Sequence, residues 1–105
     1  MSTEIKAVPE QKMYQILVDD EPAGFARYRA EKSDGDAAET WVFESTEVDP
    51  KFRGQGLAGK LVRAAMDDVR GRSVLVKPEC SYVVTWFQRN PDYQDLLDPA
   101  DVAES

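Results

Sequence analysis

The stretch VDPKFRGQGLAGKLV (Val48–Val62) is where the chain changes from a strand pattern to a helix pattern. It contains three glycines and three basic residues, and no acidic residue follows Asp49. A glycine-rich junction of this kind presents unpaired backbone N–H groups beside the positive end of a helix dipole. Glycine also lets the backbone approach a bulky group closely. The stretch therefore predicts a polyphosphate site, although a plain turn before a helix with a basic face has the same pattern.

The segments on either side of this stretch predict an α+β domain with the order β-β-β-α-β-α. Strands are expected at 12–18, 24–31 and 40–48, joined as an antiparallel meander, and at 73–77. Apolar residues recur at helical spacing from Leu57 to Val69, and Gly71 is expected to end that helix. Ser81 is a candidate N-cap for a second helix, which the Asn90-Pro91 pair would end.

The ends of the chain are predicted to lie outside the folded unit. Residues 1–10 read as a flexible tail, residues 11–97 as one domain, and residues 98–105 as an acidic tail. The segment from Lys32 to Glu39 reads as a loop, with Asp34-Gly35 as its turn.

Composition narrows the classes of function. The 105 residues suit a single domain, and the net charge of −7 disfavours nucleic acid and anionic membranes as partners. The chain has no histidine and one cysteine, which removes the commonest metal ligand and any multi-cysteine metal site. Because no apolar leader or membrane-length run is present, we expect a monomeric cytoplasmic protein without a metal.

The glycine-rich stretch resembles motif A of the GNAT N-acetyltransferase superfamily, whose pattern is Q/R-x-x-G-x-G/A. Arg53, Gly56 and Ala58 occupy the defined positions of that pattern. The resemblance implies a compact GNAT-like fold, mostly an antiparallel sheet with two main helices, and acetyl-CoA as the cofactor. It also implies that the backbone at Glu47 and Val48 pairs with the pantetheine arm. The implied pyrophosphate-binding residues are Arg53, Gly54, Gln55, Gly56, Leu57 and Ala58.

Cys80 lies between the fourth predicted strand and the second helix. A thiol beside a helix N-terminus can ionise more readily than a free one, whereas a small buried cysteine is equally consistent with the position. The segment P-x-C-S-Y…R-N-P, from Pro78 to Pro91, resembles that of short GNAT-like proteins, and the similarity spans about residues 10–97. That resemblance implies that Cys80 lies near the coenzyme A sulfur and that Asn90 belongs to the cofactor-binding residues.

The expected acid and base of the reaction are less well marked. Larger GNAT enzymes often carry a tyrosine acid seven residues after the start of this helix, and here that position is Phe87. Tyr82 or Tyr93 would have to replace it, while Phe87 itself is expected in the core. We predict Glu44 as the base, on the expectation that it shares a strand face with Val42, Thr46 and Val48.

These features predict an acetyl-CoA-dependent N-acetyltransferase, with Cys80 and Glu44 as catalytic residues. Its acceptor is an unidentified amine, either a small molecule or a lysine-containing protein. The acetyl group would pass directly to the amine or through an acetyl-Cys80 intermediate. Two alternatives stay open, namely a non-catalytic acyl-CoA-binding or sensing module and a plain interaction domain.

Overall fold

The computed structural model describes residues 2–32 and 39–97. They form a five-stranded sheet, two α-helices and three 3-10 helices, each of which begins with a proline, a residue favoured at that position. The strands are β1 (Thr3–Val8), β2 (Met13–Val18), β3 (Glu21–Lys32), β4 (Glu39–Val48) and β5 (Leu75–Pro78). The α-helices are α1 (Leu57–Arg72) and α2 (Ser81–Arg89), and the 3-10 helices are Pro9–Gln11, Pro50–Phe52 and Pro91–Leu96.

The sheet follows chain order, β1-β2-β3-β4-β5. Its first three pairings are antiparallel, and only the pairing of β4 with β5 is parallel. That parallel pairing needs a crossover connection, which α1 supplies. The predicted α+β class, with a mostly antiparallel sheet and two main helices, is confirmed, and the structure adds one strand to the predicted order.

The core lies between α1 and one face of the sheet. Along β2, Tyr14, Ile16 and Val18 are buried on this face, as the period of two predicts. The helix contributes an apolar stripe at helical spacing that includes Leu61, Ala65 and Val69, all fully buried. Burying a Leu or Val side chain contributes about 1.5–3 kcal/mol, so this face holds the helix against the strands.

A hydrogen-bonded group also ties α1 to the sheet. The buried hydroxyl of Tyr14 donates to Asp68 Oδ2 at 2.5 Å, and Arg72 Nε donates to the same oxygen at 2.7 Å. Burial opposes ionisation of Asp68, yet these two hydrogen bonds lower the pKa of its carboxyl group below the usual range. Burial and the neighbouring carboxylate raise the pKa of Tyr14. Asp68 is therefore ionised, and Tyr14 stays a neutral donor.

A β-bulge interrupts the pairing of β3 with β4. Arg27 pairs with Ser45 and Tyr28 with Phe43, so Glu44 is an extra residue in β4. Phe43 lies in the core, and beyond the bulge Thr46 lies opposite the core residue Ala26 while Val48 packs against the core. The bulge thus puts Thr46 and Val48 on the core side and leaves Glu44 exposed on the opposite face. The prediction that Glu44 shares a face with Thr46 and Val48 is wrong for this reason.

The amino-terminal segment differs from the predicted tail. Residues Thr3–Val8 form the edge strand β1, which pairs with β2 along its whole length. Only Ile5 and Val8 are partly buried, so backbone hydrogen bonds to β2, more than apolar contacts, hold this strand in place. The sequence of β1 therefore lacks the apolar alternation by which the neighbouring strand β2 could be predicted. The predicted turn at Asp34-Gly35 and the acidic segment 98–105 lie outside the described residues.

The two helices begin and end near the predicted places. Helix α1 continues through Gly71 and ends at Arg72, where Ser73 takes the left-handed conformation with φ 59°. Helix α2 begins one residue earlier than predicted, because Cys80 is its N-cap and Ser81 its first residue. Trp86 and Phe87 are buried in the core, as predicted.

The described residues carry neither a membrane-length helix nor a metal-binding cluster. No helix in 2–32 or 39–97 is long and apolar enough to cross a membrane. In the same residues, no group of three or more histidine, cysteine or acidic side chains is placed to hold a metal ion.

Candidate functional site

The sheet opens into a fork where β4 and β5 part. The two strands pair only from Thr40 to Phe43 and from Leu75 to Pro78. At the fork the Phe43 carbonyl accepts hydrogen bonds from the backbone N–H groups of Glu79, at 3.0 Å, and Cys80, at 3.1 Å. Beyond it, residues 44–48 of β4 keep β3 on one side, and no described strand lies on the other. The fork therefore leaves a free backbone edge that can pair with an extended ligand.

The glycine loop lies between the end of β4 and the start of α1. Asp49 Oδ1 accepts from the backbone N–H of Lys51 at 2.9 Å, and the buried ring of Phe52 anchors the loop. Gly54 and Gly56 have φ values of 81° and 71°, and a side-chain carbon at either position would meet no atom of the described residues within 4 Å. Glycine is needed here for its left-handed conformation, and the space above the loop is open.

The first turn of α1 has no negatively charged side chain of its own. Gly56 is its N-cap and provides no side-chain cap, and the turn contains no acidic residue. The first helical hydrogen bond runs from the N–H of Lys60 to the carbonyl of Gly56. The preceding N–H groups, those of Leu57, Ala58 and Gly59, have no intrahelical acceptor. Free N–H groups at the positive end of a helix dipole favour the binding of an anion.

Of the four basic residues in and just after the opening stretch, two are engaged elsewhere. Lys51 pairs with Glu21 at 2.5 Å, and Arg63 donates to Asn90 Oδ1 at 3.0 Å. Arg53 and Lys60 are exposed, and neither forms an ion pair with a described residue. The charge available to an anion at the loop therefore comes from these two.

Cys80 lies in the fork at the start of α2, partly buried against the core. Burial raises the pKa of its thiol, but the nearby backbone N–H groups of Val83 and Tyr82, together with Thr46, outweigh it and lower the pKa below the ordinary value. These N–H groups make no cap hydrogen bond of standard geometry to the sulfur, so they act on the thiolate as nearby dipoles. Thr46 Oγ1 is itself buried, and no hydrogen bond of standard geometry to a described residue reaches it. We take the contact with Cys80 as a weak sulfur interaction, which favours the thiolate.

Three aromatic residues bear on the question of a proton donor. The Tyr82 hydroxyl lies beside the first turn of α1, 3.5 Å from where a side-chain carbon at Gly59 would stand. Tyr93 instead donates to Asp67 Oδ1 at 2.7 Å on the outer side of α1, and this hydrogen bond raises the pKa of Tyr93. Phe87 is buried and has no proton to give. Tyr82 is thus the phenol that the fold brings to the fork.

The remaining predicted residues lie in different surroundings. Glu44 is exposed and accepts from Arg29 at 2.9 Å, and the same guanidinium binds Glu79 at 3.1 Å. Glu47 is exposed near the end of β4. Asn90 lies at the far end of α2 from Cys80, where its amide binds Arg63 and the Trp86 carbonyl. The fold thus brings the glycine loop, Val48 and Cys80 to the fork and gives Asn90 a structural contact.

Sequence reasoning missed the roles of Thr46 and Arg29. Thr46 reads as an ordinary strand residue, and Arg29 as a charge on a half-buried strand. Arg29 bridges Glu44 on β4 and Glu79 beside Cys80, so it links the two sides of the fork on the face opposite α1. No local signal could have identified either residue, since both roles depend on the bulge and on where the strands part.

Comparisons with solved structures support the fold. A GCN5-like protein from Staphylococcus aureus is 22% identical with a TM-score of 0.64, over 90% of this chain and 87% of that one. Glucosamine-6-phosphate N-acetyltransferase from Arabidopsis thaliana is 25% identical with a TM-score of 0.55, over 66% and 50%. Arabidopsis thaliana Naa50, solved with the bisubstrate analogue CoA-Ac-MVNAL, is 17% identical with a TM-score of 0.53, over 65% and 45%.

The chain spans about half the length of the two Arabidopsis structures, 50% and 45%. No curated protein matches it. The GCN5-related N-acetyl-transferase family matches residues 13–96, which include the bulged strand, the glycine loop and both helices. The chain therefore belongs to the GCN5-related N-acetyl-transferase family.

Proposed function

We propose that this protein is an acetyl-CoA-dependent N-acetyltransferase that acts on an amine, either a small molecule or a lysine in a protein. The fork between β4 and β5 carries the proposal. It joins three features in one place: an uncapped helix N-terminus, a free strand edge and an ionisable thiol. Together they match the anionic, extended and sulfur-containing parts of acetyl-CoA.

Different residues at the fork would bind different parts of acetyl-CoA. The N–H groups of the Arg53–Ala58 loop would bind the pyrophosphate, and Arg53 and Lys60 would neutralise its charge. The backbone at Glu47 and Val48 would bind the pantetheine arm by adding a strand to the free edge of β4. This arrangement directs the thioester toward Thr46 and Cys80. Acetyl-CoA supplies an activated acetyl group, and the protein holds that group in position for the amine.

Two routes of transfer fit this site. In direct transfer, the amine nitrogen forms a bond with the acetyl carbon, the bond from that carbon to the coenzyme A sulfur breaks, and the amine loses a proton. In the covalent route, the Cys80 thiolate first takes the acetyl group and releases the coenzyme A thiolate. The amine nitrogen then bonds to the acetyl carbon of acetyl-Cys80, the bond from that carbon to the Cys80 sulfur breaks to restore the thiolate, and the amine loses a proton. The lowered pKa of Cys80 favours the thiolate that this second route needs.

Proton transfer would rely on two groups. Tyr82 is the phenol nearest the loop and would protonate the leaving coenzyme A thiolate. Glu44 would act as base only after leaving Arg29, because their ion pair occupies its carboxylate. An engaged base is consistent with a slow enzyme, or with an amine that arrives already deprotonated.

A non-catalytic acyl-CoA-binding or sensing module is the second candidate. The buried Phe87 favours it, because a phenylalanine stands where larger relatives often carry the acid. This module would bind coenzyme A through the same loop and strand edge. It would transfer no acetyl group to any amine.

Calorimetric titration with coenzyme A, followed by assays with a panel of amines, tests both candidates. Binding together with acetylation of at least one amine supports the enzyme, whereas binding without transfer supports the sensing module. An absence of binding at millimolar coenzyme A would overturn both. Incubation with acetyl-CoA alone, followed by intact-protein mass measurement, separates the two routes, since only the covalent route gives an acetyl adduct that Cys80→Ala loses.

A further inference from the structure

The hydroxyl oxygen of Thr46 is a buried polar atom that receives no hydrogen bond of standard geometry from the described residues and gives none to them. A hydroxyl held away from water normally has a partner, because an unpaired polar group in the protein interior costs free energy. Exceptions of this kind often have a catalytic role or a bound molecule as their explanation. The position of Thr46 therefore bears on the function of the fork.

The backbone of β4 turns Thr46 toward the gap between β4 and the β5–α2 connection. The N–H of Asp49 donates to the Ala23 carbonyl of β3 at 2.7 Å. Alternate residues of an antiparallel strand turn their N–H and C=O groups to opposite edges. Thr46, which lies opposite Ala26 and three residues before Asp49, therefore turns its backbone groups away from β3 and into the fork.

The Cys80 sulfur lies on the other side of the same gap. Cys80 is the N-cap of α2 and packs against the core, the side of the sheet on which the Thr46 side chain lies. The hydroxyl and the backbone N–H of Thr46 both lie close enough to the sulfur to favour its thiolate. The N–H groups of Tyr82 and Val83 approach the sulfur from α2. The thiol thus lies between donors from two segments that are far apart in the chain.

We propose that the Thr46 hydroxyl is a catalytic hydrogen-bond donor to the acetyl oxygen while Cys80 accepts the acetyl group, an assignment that rests on the covalent route of the proposed function. As the sulfur bonds to the acetyl carbon, a carbonyl electron pair moves onto the oxygen. That pair returns to the carbonyl when the bond from the carbon to the coenzyme A sulfur breaks. A preorganised donor stabilises the charge that develops on the oxygen between these two events.

Two features of Thr46 suit it to this role. In acetyl-Cys80 the acetyl carbon is bonded to the sulfur itself, so the acetyl oxygen lies two bonds from an atom that the Thr46 hydroxyl already contacts. The hydroxyl also has no hydrogen bond of standard geometry within the described residues. It can therefore turn to the oxygen without breaking a strong bond elsewhere, as preorganised electrostatic stabilisation requires.

Two reactions of Cys80 separate an oxyanion donor from a group that only favours the thiolate. Alkylation by iodoacetamide displaces iodide from a saturated carbon, so no oxyanion forms. Acylation by p-nitrophenyl acetate passes through an oxyanion and then releases p-nitrophenolate, which is measured by its colour. Neither reagent needs coenzyme A. A donor to the acetyl oxygen acts only on the second reaction, whereas a group that favours the thiolate acts on both.

Both rates are measured for wild-type protein and Thr46→Val above the alkylation midpoint of each, where the thiol is ionised, with Cys80→Ala as the background. Acylation should fall by about tenfold to a hundredfold, up to the loss typical of one oxyanion donor. Alkylation should not fall, because a thiolate of higher pKa is at least as nucleophilic. Thr46→Ser keeps the hydroxyl and should retain most of the acylation rate.

Thr85→Val, on the exposed surface of α2, is the matched control and should change neither rate. Chemical denaturation should show no loss of stability in Thr46→Val, since its hydroxyl has no strong hydrogen bond to lose. Equal falls of both rates in Thr46→Val would overturn the proposal. So would an unchanged acylation rate, or the same loss of acylation in Thr46→Ser. Failure of the acetyltransferase function would appear separately, as absent coenzyme A binding.

Discussion

The N-termini of α1 and α2 lie beside the same fork, but they stabilise negative charge in different ways. The first turn of α1 has a glycine N-cap without a side-chain cap, and the nearby Arg53 and Lys60 form no ion pair within the described part of the chain. The first turn of α2 instead faces the Cys80 thiol of its own N-cap. Both use the positive end of a helix dipole.

The difference shows how one structural element serves two purposes. Where the cap lacks a side chain, the N–H groups stay available to a ligand and favour an external anion. Where the cap is a cysteine, the same groups favour an internal anion, the thiolate. The Tyr82 hydroxyl lies beside Gly59, so it connects the first turn of α2 with that of α1.

We expect the largest effect from Gly56→Asp, which should remove the difference between the two helix N-termini. It places a side chain at φ 71° and a negative charge at the N-terminus of α1, so we expect coenzyme A affinity to fall roughly a hundredfold through strain and charge. Gly71→Asp, near the other end of the same helix and free of neighbours within 4 Å, is the control. Unchanged affinity in a folded Gly56→Asp protein would contradict an anion site at this turn.

Arg53→Ala should weaken coenzyme A binding by about fivefold at low salt, since a phosphate contact of an exposed cation is screened by ions. The loss should shrink as the salt concentration rises. Titrations at two ionic strengths measure it, with Arg89→Ala at the end of α2 as the control. An equal, salt-independent loss in both variants would show that Arg53 does not contact the ligand.

At α2, the pH dependence of Cys80 alkylation by iodoacetamide tests whether the helix N-terminus favours the thiolate. The midpoint should lie below that of a free cysteine thiol, because the folded protein favours the thiolate. By linkage, this group stabilises the fold most above the ordinary pKa of a thiol and loses that contribution as the pH falls through its own pKa. Thr46→Val should move the midpoint upward, whereas Thr85→Val on exposed α2 surface should not. A wild-type midpoint at or above that of a free thiol would contradict the lowered pKa.

The smallest effect is expected from Tyr14→Phe, which should leave both helix N-termini unchanged. Loss of its hydrogen bond to Asp68 should lower the free energy of unfolding by about 0.5–1.5 kcal/mol. The pKa of Asp68 is lowered in the folded protein, so its contribution is full above the ordinary carboxyl pKa and is lost as the pH falls through the lowered one. Without the Tyr14 hydrogen bond the pKa of Asp68 is lowered less, so the variant should lose less stability than the wild-type protein when the pH falls into the acidic range.

Chemical denaturation at neutral and acidic pH measures that change, with Tyr82→Phe as the control. Tyr82 is exposed, and in the described residues its hydroxyl forms no hydrogen bond of standard geometry. A matching loss in Tyr82→Phe, or weaker coenzyme A binding in Tyr14→Phe, would show that the core network and the site are not separate.

The helices, the inner strands and the glycine loop were predictable because each has a strong local pattern. Apolar spacing marks α1, alternation marks β2, and Arg53, Gly56 and Ala58 mark the loop. The edge strand β1 was missed, because backbone pairing holds it and burial leaves little trace in its sequence. The orientation of Glu44 was predicted wrongly, because one extra residue in β4 reverses the alternation beyond it.

The sequence by itself determined the α+β class, the position of the glycine loop and the placement of a cysteine at a helix start. Those features depend on residues close together in the chain, where periodicity and backbone conformation act. Only the tertiary structure decided where β4 and β5 part, that Glu21 holds Lys51 in an ion pair, and which groups lower the pKa of Cys80. These depend on contacts between distant segments, such as Thr46 with Cys80, and strand pairing alone brings those segments together.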